Sequence, residues 1–223
     1  MISKSELLVS QESSLQLGRS YRVVTALVGG IPLSLGMKLR KLVYQLIFAK
    51  IGQGVQVEAN VNFTRPYLIS LGNRAYIRSG ANLECGENSS LVIGEKAVIE
   101  RGADIRAYND GNVRIGDRTF ISSYTCLNGR NVRIGKDCLI GHHCGIFANN
   151  HLFRDPQRPI NQQGLSYQGI VIEDDCWLGS GVKILDGVTV GKGSVIGAGT
   201  IVTKNVAPYS VAMGVPARVV AHR

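Results

Sequence analysis

The sequence predicts an all-β fold, a parallel β-helix of about seven triangular coils with a short helical N-terminal cap and one extruded loop. Three observations predict this class. Aliphatic residues recur every six positions, a compact side chain follows each of them four positions later, and glycine often comes directly after the aliphatic residue. A period of six is a multiple of the strand period of two but does not fit about 3.6 residues per helical turn. It therefore indicates successive short strands.

The repeat is most regular between Cys176 and Val206. The aliphatic positions there are Ile172, Leu178, Ile184, Val190, Ile196 and Val202, and the compact positions are Cys176, Val182, Val188, Ser194, Thr200 and Val206. The same frame extends back to Ile51. A fixed short period is typical of a solenoid, whereas the alternative, a β-sandwich, would show turn signals about every 8–12 residues and loops of variable length.

Interruptions of the frame fall between sets of three strands. They lie near residues 65–70, 87–92, 107–113, 128–132 and 151–171. Because each interruption follows the third strand of a set, all insertions should emerge at one corner of the prism. The largest, the extruded loop at residues 152–169, is polar and contains two prolines. Long ordered loops in compact domains are usually functional.

Three regions follow along the chain. We expect a polar tail and an amphipathic helical cap in residues 1–50, the β-helix in residues 51–207, and a closing segment in residues 208–223. Apolar side chains at helical spacing in the first region are Leu39, Leu42, Val43, Leu46 and Ile47, with Lys38, Arg40, Lys41 and Lys50 nearby. This basic helix should cover the open first coil, and an anionic membrane surface is a second possible partner.

Composition narrows the function classes. A net charge of +9 would suit nucleic acid, but the basic residues are spread out with little aromatic interleaving, so we expect no nucleic-acid partner. The chain has no apolar run of about 18 residues, and its first residues lack the charged-then-apolar order of a secretory signal. Five cysteines without a C-x-x-C pair predict reduced thiols, no metal, and a cytoplasmic protein.

His151 is the predicted catalytic base. It ends a coil directly before the extruded loop, and a neutral imidazole near pH 7 can take a proton from a hydroxyl group. His142 and His143 fall on an outward turn and are expected to be surface residues, while His222 lies in the closing segment.

From Ile51 to Val220 the chain resembles the hexapeptide-repeat acyltransferases, and among them the galactoside/maltose-type and surface-polysaccharide O-acetyltransferases. The resemblance depends on the six-residue frame, the histidine before the loop, and the motifs W-x-G at 177–179, I-G-A-G-x-x-V-T-K at 196–204 and G-x-P-A-R at 214–218. It implies a left-handed helix and a homotrimer with active sites between neighbouring prisms. It also implies acetyl-CoA as the acyl donor.

The resemblance further implies roles for single residues. His151 would be the general base on the acceptor hydroxyl, and Asn128 would contact the acceptor. The residues implied at the cofactor are Trp177, Ser180 and Ala198 beside the pantetheine arm, and Thr203, Lys204 and Arg218 at the CoA nucleotide. Trp177 has an alternative role, filling a coil corner. Asp155 is a candidate to orient His151, and Cys126 replaces an expected acceptor-contacting tyrosine, which leaves the acceptor open.

The predicted reaction is acetyl transfer from acetyl-CoA to a hydroxyl of a sugar or surface-polysaccharide precursor. The alternatives are N-acetylation of an amino sugar, acetylation of serine or an antibiotic, a γ-type carbonic anhydrase, and a non-catalytic scaffold. A serine enzyme would carry a longer helical N-terminal domain. The spacing of His142, His143 and His151 does not suit three zinc ligands. We expect a cytoplasmic enzyme, with peripheral contact at the inner membrane face as a further possibility.

Overall fold

The structure, a computed structural model, describes residues 21–223 and forms a triangular prism with one parallel sheet on each side. Sheet A contains β1 Lys50–Ile51, β4 Ile69–Leu71, β7 Ser90–Ile93, β10 Asn112–Ile115, β13 Val132–Ile134, β18 Ile170–Ile172 and β21 Thr189–Val190. Sheet B contains β2 Gln56–Val57, β5 Tyr76–Ile77, β8 Val98–Ile99, β11 Phe120–Ile121, β14 Leu139–Ile140, β19 Trp177–Leu178, β22 Val195–Ile196, β24 Ser210–Met213 and β25 Arg218–His222. Sheet C contains β3 Asn62–Thr64, β6 Asn82–Cys85, β9 Asp104–Ala107, β12 Cys126–Gly129, β15 Gly145–Ala148, β20 Lys183–Leu185 and β23 Ile201–Val202.

Each coil takes one strand from sheet A, one from sheet B and one from sheet C, which gives seven full coils between β1 and β23. The predicted fold class is therefore confirmed. The predicted insertion corner is also correct, because the interruptions all connect a strand of sheet C to the next strand of sheet A. We call this edge of the prism the C–A corner, and the edge between sheets B and C the B–C corner. The last strand, β25, runs antiparallel to β24.

The interior of the prism is filled by the repeated aliphatic residues, which stack in columns from coil to coil. Ile77, Ile99 and Ile121 are partners in neighbouring strands of sheet B and are all fully buried. The compact positions lie inside the corners, where larger side chains would not fit. Where such a position is polar, its group is satisfied: the Thr119 hydroxyl donates to the Gly135 carbonyl at 2.7 Å. All five cysteines are free thiols, and Cys85, Cys138, Cys144 and Cys176 are buried.

The corners fix particular backbone conformations. At Gly116 an added Cβ would lie 2.5 Å from the carbonyl carbon and oxygen of Gly135 in the next coil, so the stacking distance excludes any side chain there. Two residues later Arg118 has a φ of 57°, in the left-handed region that turns the chain. The carboxylate of Asp117 accepts a hydrogen bond of 2.7 Å from the Glu95 backbone N–H, which joins this corner to the preceding coil.

In the described range, two helical segments precede the prism. Residues 21–28 are helical (α1), Leu33–Val43 forms α2, and a 3-10 turn follows at Tyr44–Leu46. Tyr44 and Phe48 pack on Phe63 of the first coil, with ring centroids 5.7 Å and 4.9 Å away, so the helices cover the N-terminal end of the prism. None of the helices in the described range 21–223 has the length and apolar character that crossing a membrane requires. The polar tail predicted over residues 1 to about 18 lies outside that range.

The apolar side chains of the cap helix are divided between the prism and solvent. Ile47 is buried and Leu39 and Val43 are half-buried, whereas Leu42 and Leu46 are 70% and 78% exposed. Arg40, one of the basic residues of this helix, is buried. The physical reason is its hydrogen bonding: Arg40 Nη1 donates to the carbonyl oxygens of Val28 and Ile31 at 2.8 Å, and these acceptors lie under the helix. A guanidinium that satisfies several backbone acceptors can be buried without a carboxylate partner.

Candidate active site

The extruded loop leaves the C–A corner after β15 and returns to β18. Its base is a short antiparallel ladder of β16, Asn150–His151, and β17, Leu165–Ser166, in which His151 is the partner of Leu165. The backbone N–H of Leu152 donates to the carbonyl of Gly164 at 3.1 Å and closes the ladder. His151 is therefore held by strand pairing at the root of the loop, and its side chain is exposed to solvent.

Asn128 lies in β12 on the outer face of sheet C, one coil before the strand from which this loop leaves. It is half-buried between its register partners Arg106 and Phe147 in the neighbouring coils. Its Oδ1 accepts a hydrogen bond of 2.9 Å from Nδ2 of Asn149, two residues before His151. Asn128, the residue predicted to contact the acceptor, and His151, the predicted base, thus both lie near the C–A corner.

Asp155 does not orient the His151 imidazole. Its Oδ1 accepts from the Gln157 backbone N–H at 2.9 Å, and its backbone exchanges two hydrogen bonds with the amide of Gln163. These contacts shape the far part of the loop. Between residues 21 and 223 the His151 imidazole has no hydrogen-bond partner, so the expectation that Asp155 positions it is wrong.

A cavity of about 310 Å³ opens beside the loop at the C–A corner. It is lined by Arg65, Glu84, Gly86, Arg106, Ala107, Tyr108, Asn109, Arg130, Leu165 and Tyr167. Leu165 is the ladder partner of His151, and Arg106 is the register partner of Asn128. His151 and Asn128 do not line the cavity themselves, but each is the strand partner of a residue that does.

One wall of the cavity is built from aromatic rings and a guanidinium group. Arg130 lies over the ring of Tyr167 at 4.2 Å, and Tyr108 meets the same ring edge-on with a centroid distance of 6.5 Å. The Nε of Arg130 is buried and, within residues 21–223, has no hydrogen-bond partner, while Nη2 is 3.6 Å from Asp110. Burial raises the pKa of Tyr108, so its hydroxyl stays protonated and can donate.

Arg106 is held on the sheet surface by Asp104. Its Nε and Nη2 donate to the Asp104 carboxylate at 2.9 Å and 2.8 Å. Burial opposes ionisation of Asp104, but hydrogen bonds from Arg106 and Asn82 outweigh that effect and lower the pKa of the carboxyl group. The carboxylate is thus ionised at neutral pH and fixes the direction of the guanidinium. Glu84 lies 3.8 Å from the same Arg106 Nε.

The residues implied at the pantetheine arm lie together at the B–C corner. Ser180 and Ala198 occupy the same position in consecutive coils, and the Gly199 N–H donates to the Ser180 carbonyl at 2.9 Å. Trp177 lies on the outer face of sheet B three residues before Ser180, where its register neighbour is Leu139. It is 55% exposed, so it does not fill a coil corner.

The residues implied at the CoA nucleotide lie at the C-terminal end of the prism. Thr203 and Lys204 follow β23 and are exposed. The Ala217 backbone N–H donates to the Ile201 carbonyl at 2.9 Å, which brings the exposed Arg218 beside that strand. Lys204 and Arg218, which are both basic, therefore lie near the end of sheet C. The residues implied at the nucleotide include no carboxylate.

His151 and the pantetheine residues lie at different corners of one prism. Sheet C separates them, and its strands of two to four residues span roughly 10 Å at about 3.3 Å per residue. His142 and His143 are also on the B–C corner, where His143 stacks on Tyr124 at 5.3 Å. They are surface residues, as predicted. Across residues 21–223 no group of three His, Cys, Asp or Glu side chains is arranged to hold a metal ion.

Comparison with known protein families identifies the repeat. Residues 169–204 match the family described as bacterial transferase hexapeptide (six repeats), and residues 131–146 match the hexapeptide repeat of succinyl-transferase. The chain carries the repeats of the hexapeptide-repeat acyltransferases. The resemblance predicted from the sequence is thereby confirmed, and the matched segments include the B–C corner at Ser180 and Ala198.

Known proteins agree with this assignment. A Schizosaccharomyces pombe protein named as an acetyltransferase of unproven activity is 36% identical over 104 residues, which are 45% of this chain and 49% of that protein. The chain spans between 31% and 55% of the length of the curated relatives it matches. The structure of the polySia-specific acetyltransferase NeuO is 28% identical, with a TM-score of 0.57 over 78% of this chain and 80% of that one.

A variant of AntD, an N-acyltransferase from Bacillus cereus, was solved with dTDP-4-amino-4,6-dideoxyglucose and coenzyme A. It has a TM-score of 0.58 at 19% identity, over 82% of this chain and 89% of that one. At this identity the likeness concerns the fold.

Sequence reasoning missed the cavity wall. Arg106, Tyr108 and Arg130 come from two coils, and Tyr167 comes from the end of the loop. Arg106 and Tyr108 flank the end of β9, and Arg130 directly follows β12. The signal was available, because arginine or tyrosine stands at or beside the register breaks near residues 107–113 and 128–132.

Proposed function

We propose that the protein is an acetyl-CoA-dependent O-acetyltransferase whose acceptor is a hydroxyl group of a sugar or surface-polysaccharide precursor. One observation carries the proposal: an exposed imidazole, His151, is held by strand pairing beside a cavity of tyrosine, arginine and amide side chains on a hexapeptide-repeat prism. The acetyltransferase names of the curated relatives support the reaction class.

In the proposed reaction His151 takes the proton of the acceptor hydroxyl. The oxygen attacks the thioester carbonyl carbon, and the tetrahedral intermediate collapses with cleavage of the C–S bond. The CoA thiolate leaves and takes the proton back from the imidazolium, so atoms and charge balance. General-base catalysis of this kind contributes about 10²–10⁴-fold to the rate. Holding donor and acceptor in one cleft supplies much of the remainder.

The acceptor would lie in the cavity beside the loop. Flat aromatic rings pack on the apolar faces of sugars, and planar polar groups such as guanidinium, carboxylate and amide pair with hydroxyls. Tyr167 and Tyr108 offer aromatic rings for the sugar faces. Arg130, Arg106, Glu84 and Asn109 offer polar groups for the hydroxyls. Asn128 would bind the acceptor next to the base. NeuO, which is named as specific for polySia, and the nucleotide sugar in the AntD structure support a saccharide acceptor.

Acetyl-CoA would lie along the B–C corner of a neighbouring protomer. Ser180, Ala198 and Trp177 would contact the pantetheine arm, because their small side chains and the flat indole leave room for an extended chain. Thr203, Lys204 and Arg218 would meet the nucleotide phosphates, for which basic side chains are suited. The coenzyme A in the AntD structure and the acetyl-CoA in that of a Vibrio cholerae hexapeptide-repeat acetyltransferase support this donor.

The assembly we propose is a homotrimer. The base and the pantetheine residues lie at different corners of one chain, and a groove between two prisms would unite them. The reaction is proposed for the cytoplasm, a reducing compartment with which five free thiols agree.

The decisive test is CoA release measured against nucleotide sugars, free sugars and lipid-linked saccharides. Each class should be offered with a hydroxyl and with an amino group at the acceptor position.

His151→Ala and His151→Asn should lower kcat by about 10²–10⁴-fold and leave acetyl-CoA binding and thermal unfolding unchanged. His222→Ala, also exposed, is the matched control. Unchanged turnover in both His151 variants would remove the base assignment, and turnover of amino acceptors alone would make the enzyme an N-acetyltransferase.

A complementation experiment tests the shared site. His151→Asn and Ser180→Trp each damage a different half of the proposed groove. Mixed trimers refolded from the two inactive variants should regain part of the activity, because some grooves then contain two intact halves. Failure to regain activity in mixtures shown to be trimeric would place both halves on one protomer.

A further inference from the structure

The cap helix α2 and the turn after it have two opposite stripes. The stripe that packs on the prism contains Gly36, Arg40, Tyr44 and Ile47, which are all buried. The opposite stripe contains Leu35, Leu42 and Leu46, which are 64%, 70% and 78% exposed. The helix therefore leaves three leucines in one stripe facing solvent, although Leu39 and Val43 between the two stripes are half-buried.

The rotation of α2 is fixed by Arg40. Besides its bonds to the carbonyls of Val28 and Ile31, its Nε donates to the carbonyl of Val57 in the first coil at 3.0 Å. Turning the leucines inward would withdraw the guanidinium from these acceptors and leave buried polar groups unpaired. The outward leucine stripe is thus a built feature of the cap.

The chain segment that forms the cap is basic. Residues 21–57 contain no Asp or Glu, and the exposed cations there are Arg22, Lys38, Lys41 and Lys50. Lys38 lies on the leucine stripe itself, three residues after Leu35. Helix α1 adds two exposed apolar side chains one turn apart, Val23 at 58% and Leu27 at 70%.

We propose that this cap surface, formed by Leu35, Leu42 and Leu46 with Lys38 and Lys41, binds an anionic lipid surface. A helix with exposed leucines and flanking lysines can bury its apolar stripe at the headgroup boundary while its cations meet lipid phosphates. A second copy of this chain would set the same lysines against each other, so charge favours lipid as the occupant. The inference does not depend on the proposed acetyl transfer.

The test is flotation of the full chain with vesicles of phosphatidylcholine alone and of phosphatidylcholine with phosphatidylglycerol. We expect binding to the anionic vesicles only, and weaker binding at high salt. Leu35→Ser/Leu42→Ser/Leu46→Ser should abolish flotation. Lys38→Gln/Lys41→Gln, which leaves every leucine in place, should weaken it by about fivefold for each lysine removed.

The matched control changes three exposed apolar residues of the extruded loop. Leu152→Ser/Phe153→Ser/Ile160→Ser should float like the parent chain. Thermal unfolding of each variant checks that the fold is kept, and the lysine variant decides the question if the leucine variant unfolds. The proposal is overturned if the parent chain does not float with anionic vesicles, if the loop variant loses flotation as fully as the leucine variant, or if the leucine variant changes only the oligomeric state.

Discussion

Nδ2 of Asn149 donates a hydrogen bond of 2.9 Å to Oδ1 of Asn128. Asn149 lies between β15 and the strand that contains His151, and Asn128 lies on the outer face of sheet C. The bond therefore ties the start of the loop, and with it the backbone leading to His151, to the wall of the prism. We therefore predict that Asn149 is a positioning residue for His151.

Asn149→Ala should misplace His151 without removing it. We expect kcat/KM for the acceptor to fall by about 10–100-fold, because small displacements of a catalytic group are costly, while KM for acetyl-CoA stays unchanged. Steady-state kinetics with each substrate varied in turn measures both values. Asn150→Ala, exposed and next in sequence, is the control. An equal rise of both KM values would point to general loosening of the fold instead.

Cys126 should be the first thiol to react in the folded protein. It is half-buried on the outer face beside Asn128, whereas the other four cysteines are buried. Burial raises its pKa, so labelling should be slow at neutral pH and faster as the pH rises, because the thiolate is the nucleophile. A thiol reagent followed by mass spectrometry should find one modified cysteine in the native chain and five after unfolding.

Cys126→Ser supplies the control for that experiment. It should remove native-state labelling and protect acceptor turnover from the reagent. Native labelling at Cys85, whose pKa burial raises to about 11, would contradict the described burial.

Asp104 should contribute to stability in a pH-dependent way. Its pKa in the folded chain is lowered, so its contribution is complete above the pKa of the unfolded carboxyl group and is lost as the pH falls through the folded value. The free energy of unfolding of the parent should therefore fall at acidic pH. Asp104→Asn should flatten that decline, as measured by denaturant unfolding between about pH 2 and 6.

Asp117→Asn serves for comparison, since Asp117 is exposed. The same flattening in both variants would mean that the effect is not specific to the pair of Asp104 with Arg106.

Arg40→Met should destabilise the cap. The substitution keeps much of the side-chain volume but removes the side-chain donor from the carbonyls of Val57 and Ile31, at a cost of about 1–3 kcal/mol for each carbonyl that water does not reach. Lys41→Met, at the adjacent exposed position, should change the free energy of unfolding by less than about 0.5 kcal/mol. Denaturant unfolding measures both, and equal stability of the two variants would show that Arg40 does not fix the helix.

The fold was predictable because one physical pattern repeats along most of the chain. Ile99, Ile121 and Ile140 occupy equivalent interior places, so each coil supports the interpretation of the next. The cap shows where pattern reasoning fails. Apolar spacing finds a stripe on a helix, but it does not reveal that the opposite stripe packs, which here depends on carbonyl groups near Arg40.

The site was predictable only in part. His151 stands out because it ends a coil just before the one long insertion. The cavity does not, because Arg106, Arg130 and Tyr167 are outward-facing residues from separate segments that meet only when the coils stack. Outward positions carry no periodic signal, so their assembly needs the three-dimensional structure.

The coils continue across the extruded loop as though it were absent. Strand β13 pairs in register with β18, and β15 pairs in register with β20. The roughly twenty residues between β15 and β18 therefore do not change how the coils stack. The loop can therefore differ in length and sequence without disturbing the stacked coils. Exchanging it for another sequence should change the residues beside the cavity, such as Leu165 and Tyr167, while the prism keeps its shape.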